Sequence, residues 1–207
     1  MKTKLSRHNW NRKEHFDFFK NFTEPFYHLN MNIECTVGLK FVKAGGDSLF
    51  AWYLHRAMKA ANSVREFRLR IEGEEVFEYD IIHASPTIGR EDGTFGFAQV
   101  NFDEDFEVFQ SHLNKEIERV RGISGLFTAP ERPDVIHYSA LPWFSFTGLS
   151  HPRNFSDGDS IPKISFGKIF EQDKQDYLPL SVHVHHGLVD GYHVSKFVEA
   201  FSHHLNK

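Results

Sequence analysis

The stretch Pro179-Leu-Ser-Val-His-Val-His-His-Gly-Leu-Val-Asp-Gly-Tyr-His-Val194 places a strand pattern directly before a helix pattern. In its first half, apolar and polar residues alternate with the period of two that is typical of a strand. Gly187 breaks this alternation, and Asp190 is a residue type favoured at helix N-termini. We therefore predict a strand over Tyr177–His185 and a helix that runs from Asp190 to Leu205.

His186 follows the predicted strand at the glycine break. If the alternation continued, its side chain would share the apolar face with Val184 and lie partly withdrawn from water. A neutral imidazole in such a place can act as a general base near neutral pH. Two other interpretations stay open at this point: His186 is a hydrogen-bonded core histidine, and Asp190 is only a helix cap.

The histidines of this region also raise the question of a metal site. His183 and His185 would share one strand face, with His186 and His193 close in sequence. A zinc site needs three or four convergent ligands, but alternation sends adjacent histidines to opposite faces. The single cysteine, Cys35, is distant in sequence, and no His-Glu-x-x-His motif occurs. We therefore expect no metal ion, and we expect Cys35 to be a packing residue.

Elsewhere in the chain, helix and strand patterns mix without a regular strand–helix–strand alternation. This mixture predicts an α+β fold, a two-layer sandwich with one mixed β-sheet and helices mainly on one face. No linker or low-complexity tract divides the chain, so residues 1–207 are expected to form a single domain. The other predicted helices are Trp10–Phe22, a helix capped by Asp47 or Ser48 that ends near Ser63, and Asp103–Val120. The other predicted strands are Asn32–Val42, Phe67–Ile71, Val76–Tyr79, Pro86–Arg90, Thr94–Asn101, Val135–Trp143 and Pro162–Phe170. A loop is predicted over 144–159.

Charge and composition exclude several classes of function. The 207 residues include 24 Lys and Arg and 28 Asp and Glu, a formal net charge of −4, so we expect no general attraction to nucleic acid or to an anionic membrane. The N-terminus is polar, so we expect no signal peptide. No run of ~18 apolar residues occurs, so we expect no membrane-spanning helix. One cysteine allows no internal disulfide and agrees with a cytoplasmic location. The 22 Phe and 14 His predict aromatic-lined pockets or core.

The segment His185-His186-Gly-Leu-Val-Asp190-Gly191 resembles the His-His-x-x-x-Asp-Gly motif of the chloramphenicol acetyltransferases of the trimeric, non-hexapeptide type. Other CoA-dependent acyltransferases share the short core of this motif. Further matches follow one another in family order over nearly the whole chain: Asn9-Trp-Asn-Arg-Lys-Glu-His-Phe16, Ser139-Ala-Leu-Pro-Trp143 with Ser145-Phe-Thr147, Pro162-Lys-Ile-Ser-Phe-Gly-Lys168, and Pro179-Leu-Ser-Val182. Their order makes the resemblance specific.

The resemblance implies roles for particular residues. His186 would be the general base, which takes a proton from a substrate hydroxyl for direct attack on the thioester of acetyl-CoA, without an acyl-enzyme. Asp190 would pair with Arg12 and hold the turn that carries His186. The family implies a homotrimer with active sites between subunits, and an aromatic acceptor pocket matched by Phe18, Phe19, Tyr27, Phe95, Phe97 and Phe127.

One departure concerns the hydroxyl that would stabilise the oxyanion. The resemblance places Gly148 where a serine donor is expected, and Thr147 and Ser165 are hydroxyls that could make this contact. Loss of one oxyanion donor typically costs ~10²–10³ in rate. The expected function is chloramphenicol O-acetyltransferase with acetyl-CoA as co-substrate. The alternatives are an acyltransferase of the same fold with another hydroxyl acceptor, and a non-catalytic trimeric binding protein.

Overall fold

The fold is built on a mixed β-sheet, seen in a computed structural model that describes residues 1–153 and 158–207. Within these residues, seven strands form the main sheet in the order β2–β10–β8–β7–β5–β6, with β9 paired to the start of β10, and three strands form a small sheet in the order β1–β4–β3. The strands are β1 Lys2–Lys4, β2 Phe26–Glu34, β3 Leu69–Glu72, β4 Glu75–Tyr79, β5 His83–Gly89, β6 Phe95–Phe97, β7 Val135–Leu141, β8 Lys163–Gly167, β9 Phe170–Gln172 and β10 Gln175–His185.

Strand directions confirm the mixed character of the sheet. β7 runs parallel to both β5 and β8, whereas β10 is antiparallel to β2, β8 and β9. The register aligns Ser181 of β10 with Ser165 of β8 and with Asn30 of β2. Because residues aligned across strands share a face, one row of small polar side chains crosses the centre of the sheet.

The helices pack against one face of the main sheet. The ring of Phe166 in β8 contacts Tyr53 and Phe201, which lie on two different helices. Leu180 and Val182 of β10 are fully buried in the same core. The predicted α+β sandwich is therefore confirmed. The helices are α1 Lys13–Phe19, α2 Thr36–Gly45, α3 Leu49–Ser63, α4 Phe106–Arg121 and α5 Gly191–Leu205, with short 3₁₀ turns at Arg7–Asn9 and Arg65–Arg68.

The opposite face of the sheet is polar and nevertheless largely buried. Ser165, Ser181, His183 and His185 are all buried there. The segment 142–153, which follows β7, covers part of this face, and His151 from that segment is hydrogen-bonded to Ser165 through Nε2 and Oγ at 2.8 Å. The loop predicted over 144–159 lies here, except for residues 154–157, which are outside the described residues.

The predicted strand Asn32–Val42 is wrong in its second half. β2 ends at Glu34, and residues 36–45 form α2. The odd-numbered apolar residues mimic a strand, but those buried in α2 follow helical spacing: Leu39 and Val42 are 2% exposed, whereas Val37 and Phe41 are 62% and 70% exposed. Glu34 accepts a hydrogen bond from Thr36 N–H at 2.8 Å and satisfies the first turn.

Other element boundaries shift by a few residues. α1 begins at Lys13 rather than at Trp10, and part of the strand predicted from Phe67 is the 3₁₀ turn. The predicted cap at Ser48 is confirmed, since its Oγ accepts a hydrogen bond from Ala51 N–H at 3.3 Å. The closing helix is also confirmed, with Asp190 as its N-cap. No helix among the described residues is long and apolar enough to cross a membrane.

Candidate active site

His186 begins the turn between β10 and α5. Its main-chain N–H donates to Pro25 O at 2.8 Å, so the turn is tied to the chain just before β2. The His186 ring stacks on Phe19 with centroids 4.1 Å apart and 18° between the planes. The ring of Tyr27 lies 4.6 Å away at 45°. Because β10 ends at His185, the alternation expected from the sequence stops one residue before His186.

The two nitrogens of the His186 ring differ in their surroundings. Nδ1 is enclosed by protein and has no hydrogen-bond partner among the described residues. Burial also raises the pKa of the neighbouring Tyr27 hydroxyl to about 12, so that phenol is neutral. Because Nδ1 is enclosed, Nε2 is the nitrogen of His186 that a bound molecule can reach.

Arg12 and Asp190 form a partly buried ion pair that holds the His186 turn. Arg12 Nη1 donates to Asp190 Oδ2, and Arg12 Nη2 donates to the carbonyl oxygen of His186 at 3.0 Å. Arg12 is only 5% exposed. Burial alone would raise the pKa of the Asp190 carboxyl, but the charge and hydrogen bond of Arg12 outweigh it and hold that pKa below its usual value. The guanidinium thus joins the start of α1, the N-cap of α5 and the His186 main chain.

His185 has a structural environment quite unlike that of its neighbour. Its side chain is buried, its Nδ1 accepts a hydrogen bond from Gly187 N–H at 3.1 Å, and its ring meets Phe26 edge-on. Burial lowers the pKa of His185 to about 4. Its ring is therefore neutral and already engaged, which leaves His186 as the histidine of the pair that is available for chemistry.

A cluster of histidine rings lies on the polar face of the sheet. The rings of His28 and His183 are stacked with centroids 4.7 Å apart, and His151 meets His183 edge-on at 4.8 Å. His183 Nε2 is hydrogen-bonded to Ser181 Oγ at 3.0 Å. Among residues 1–153 and 158–207, no three His, Cys, Asp or Glu side chains are arranged to hold a metal ion.

The hydroxyls expected from the sequence have different positions. Ser165 is fully buried and bonded to His151, whereas Thr147 is exposed in the loop. Gly148 is also exposed, and no described atom lies within 4 Å of the place a Cβ would take. Ser139, which is not among the site residues predicted from the sequence, is half-buried and pairs with Ser165 across β7 and β8.

The aromatic residues expected at the acceptor pocket form two separate groups. Phe18 and Phe19 contact each other at 4.9 Å beside His186 and near Tyr27. Phe95, Phe97 and Phe127 contact one another at β6, on the other edge of the main sheet. Four strand spacings separate β10 from β6, about 19 Å at ~4.8 Å each. One chain therefore brings only the first group to His186.

A cavity of about 660 Å³ opens where β7 and β8 end and β10 begins. Its apolar wall includes Tyr53 and Trp143. Its charged lining consists of three cations, Lys43, Arg121 and Lys168, and two carboxylates, Glu171 and Asp176. Trp143 and Lys168 belong to two separate sequence motifs, and nothing in the sequence indicates that they share a cavity. β10 begins here and ends at His185, directly before His186, so the cavity and His186 are roughly 30 Å apart along the strand.

The chain is similar to known proteins over nearly its whole length. Residues 2–202 match the family model described as CAT: Chloramphenicol acetyltransferase. A chloramphenicol acetyltransferase from Clostridium perfringens is 31% identical over 91% of this chain and 88% of the relative, and one from Campylobacter coli is 27% identical over 99% of both. A solved structure of a chloramphenicol acetyltransferase superposes with a TM-score of 0.93, at 29% identity, over 99% of this chain and 100% of the other. A probable dihydrolipoamide acetyltransferase from Listeria monocytogenes has the same fold, with a TM-score of 0.70 at 15% identity over 93% of this chain and 88% of the other.

Proposed function

The chain belongs to the chloramphenicol acetyltransferase family, and from this membership we propose that it transfers an acetyl group from acetyl-CoA to a hydroxyl of chloramphenicol. The observation that carries the proposal is the fixation of His186. Its carbonyl oxygen accepts a hydrogen bond from Arg12, its ring is stacked on Phe19, and its Nδ1 is enclosed by protein. A histidine held in this way loses little freedom on binding substrate, so its other nitrogen can act as a positioned base.

His186 is the general base in the proposed mechanism. Nε2 takes the proton of the acceptor hydroxyl while the hydroxyl oxygen attacks the thioester carbonyl carbon of acetyl-CoA. The new C–O bond forms, and the carbonyl oxygen becomes negatively charged. When this intermediate collapses, the C–S bond breaks and the His186 imidazolium returns its proton to the leaving sulfur. The products are an acetyl ester and CoA with a free thiol, and no acyl-enzyme is formed.

For this role the proton of the neutral ring must be on Nδ1, so that the lone pair of Nε2 is free. The stacked ring of Phe19 and the tilted ring of Tyr27 fix the plane of the imidazole. Arg12 and Asp190 are proposed as supporting residues that act on the main chain of His186 and do not touch substrate.

Ser139 is the hydroxyl that we propose as oxyanion donor, in place of position 148. Its side chain shares a sheet face with Ser165, and β7 ends beside the cavity that contains Trp143. Gly148 has no hydroxyl to donate, whereas Ser139 lies within a strand of the main sheet. A preorganised donor is worth more than a mobile one, because it costs no reorganisation during the reaction.

The active form is proposed to be a homotrimer with sites between subunits. Phe95, Phe97 and Phe127 belong to the expected acceptor pocket but lie at β6, far from His186 of the same chain. β2 is an edge strand, and His28 and Leu29 on it are exposed. A subunit that offered its β6 aromatic group to a neighbour's His186 would complete the pocket and cover exposed apolar surface.

The cavity near Trp143 is the proposed acetyl-CoA site. CoA has an apolar-tolerant pantetheine arm and anionic phosphates. This cavity combines an apolar wall with three cationic side chains, Lys43, Arg121 and Lys168, which outnumber its two carboxylates, Glu171 and Asp176. The distance between this cavity and His186 in one chain again favours a site shared between subunits. We place the enzyme in the cytoplasm, which suits its buried, unpaired Cys35.

A thiol-release assay with acetyl-CoA tests the proposed function. We expect rapid release of CoA only when chloramphenicol is added, together with a trimeric mass in solution. Release with another alcohol but not with chloramphenicol would contradict the proposed acceptor and support an acyltransferase with different specificity. A trimer that releases no CoA with any acceptor would contradict catalysis.

A further inference from the structure

We propose that His193 and Glu66 are positioning residues that extend the Arg12–Asp190 pair, with His193 directing the Asp190 carboxylate towards Arg12 and so fixing His186. This inference rests on the proposed role of His186 as the base. The contacts run in one series from Glu66 through His193, Asp190 and Arg12 to the carbonyl oxygen of His186.

His193 is placed to act on Asp190 by the start of α5. The two residues form a capping box, in which Asp190 N–H donates to His193 Nδ1 at 3.1 Å. An Nδ1 that accepts this bond carries no proton, so the proton of the neutral ring is on Nε2. His193 is only 7% exposed, so this arrangement is shielded from water.

Glu66 is placed to fix that tautomer. It comes from the 3₁₀ turn Arg65–Arg68, and its Oε1 faces His193 Nε2 at 3.6 Å. A carboxylate at this position favours the proton on Nε2 and disfavours a lone pair there. Glu66 therefore links the turn before β3 to the start of α5.

The tautomer decides where the Asp190 carboxylate makes its bonds. Oδ1 lies 2.8 Å from His193 Nδ1, but an unprotonated nitrogen cannot donate to it. Oδ1 instead accepts from Tyr192 N–H at 3.0 Å, and Oδ2 is left for Arg12. A proton on Nδ1 would face the Asp190 N–H, so the capping hydrogen bond that places the Asp190 carboxylate would be lost.

The charges around His193 favour the neutral ring. Burial lowers its pKa, Glu66 and Asp190 raise it, and Arg12 and Lys196 lower it again, with a net shift below the ordinary value. Within the described part of the chain, these groups and the edge of the Tyr192 ring are the charged or titratable groups that face His193. The ring is therefore neutral at pH 7.5, as the proposed hydrogen bonds require.

Three substitutions separate positioning from simple packing. His193→Asn keeps an acceptor near the place of Nδ1, His193→Gln keeps a polar group near the place of Nε2, and His193→Leu keeps neither. At pH 7.5 we expect kcat to fall about tenfold to a hundredfold for Leu and Gln, with KM unchanged, and to be largely retained for Asn. His203→Leu, on the exposed side of α5, is the matched control and should have unchanged kinetics.

A second readout does not depend on turnover. In nitrogen NMR of the wild-type protein, His193 should have a protonated Nε2 and an unprotonated Nδ1, and the His186 ring resonances should move in the Gln variant but not in the Asn variant. If the wild type proves inactive, the proposed function fails while this measurement still tests the positioning. Equal kcat in all three variants with unmoved His186 resonances, or a protonated Nδ1 of His193 in the wild type, would overturn the proposal. Loss of thermal stability alone, with kcat retained, would also overturn it.

Discussion

The ring of Phe19 lies almost parallel to the ring of His186, with centroids 4.1 Å apart. Phe19 is the last residue of α1, and Arg12 is the N-cap of the same helix. Arg12 holds the His186 carbonyl while Phe19 holds the His186 ring. A seven-residue helix near the N-terminus therefore fixes both parts of a residue that lies near the C-terminal end of the chain.

Replacing Phe19 with Leu should lower kcat about tenfold, because the imidazole loses its stacking partner and samples other orientations. KM for acetyl-CoA should not change. Phe18→Leu is the matched control: Phe18 contacts Phe19 but is 63% exposed, so its loss should raise KM for chloramphenicol and leave kcat nearly constant. Steady-state kinetics of both variants check the distinction, and equal falls in kcat would contradict it.

Asp190→Asn should destabilise the fold, because it leaves the Arg12 guanidinium buried without its partner charge. Removing one member of a buried pair typically costs ~3–5 kcal/mol. Arg12→Val should have a similar effect, and the double variant should be no less stable than the worse single one. Urea unfolding of all four proteins measures this coupling. Strictly additive losses would show that the two residues do not act as a pair.

Acid should destabilise the protein through its buried histidines. Burial lowers the pKa of His137, His151 and His185 to about 4 and that of His183 to about 3, from an ordinary value of 6.5. Between pH 6.5 and about 4 these rings are neutral in the folded chain and charged in the unfolded chain. Unfolding then takes up protons, so the free energy of unfolding falls as the pH falls through this range.

Unfolding measured by urea at pH values from 7.5 to 4.5 checks this expectation. His151→Asn should weaken the dependence on pH, since it removes one of the shifted groups from the cluster beside Ser165. His8→Asn, at an exposed position near the N-terminus, is the control and should leave the slope unchanged. Stability that stays constant down to pH 5 would contradict the assignment of neutral buried rings.

Ser139→Ala should lower kcat by ~10²–10³, the usual effect of losing one oxyanion donor. Gly148→Ser should leave kcat and KM unchanged, because Ser139 is proposed to supply the oxyanion hydrogen bond already and the new Cβ would meet no described atom of its own chain within 4 Å. Kinetics with chloramphenicol and acetyl-CoA test both variants. A rise in kcat for Gly148→Ser, with Ser139→Ala unaffected, would return the oxyanion role to position 148.

Local chemistry in the sequence predicts several elements well. Ser48 and Asp190 are helix caps whose role depends on residues two or three positions away, and both are confirmed. The strand expected through Phe41 is wrong because Cys35, Leu39 and Val42 satisfy a helical period as well as an apolar alternation. Packing favours the helix over the strand. At Gly38, α2 lies so close to the end of α5 that any side chain there would collide with the main chain of Leu205.

Contacts between distant parts of the chain were not predictable in the same way. The resemblance suggested the pairing of Arg12 with Asp190, but nothing near Glu66 in sequence indicates that it faces His193. The cavity that contains Lys43 and Lys168 likewise forms only when α2 packs beside the end of β8. Such sites depend on how the elements are arranged in space, which periodicity does not reveal.

The most direct test of this account is kcat/KM for His186→Ala with chloramphenicol and acetyl-CoA, compared with His185→Asn. The first variant removes the proposed base from a half-buried position and should reduce kcat/KM by ~10²–10⁴. The second keeps an acceptor for Gly187 N–H and should retain most of the activity. Thermal unfolding and the solution mass should match the wild type in both. A properly folded His186→Ala variant with activity within a few-fold of the wild type would contradict the assignment of His186 as the general base.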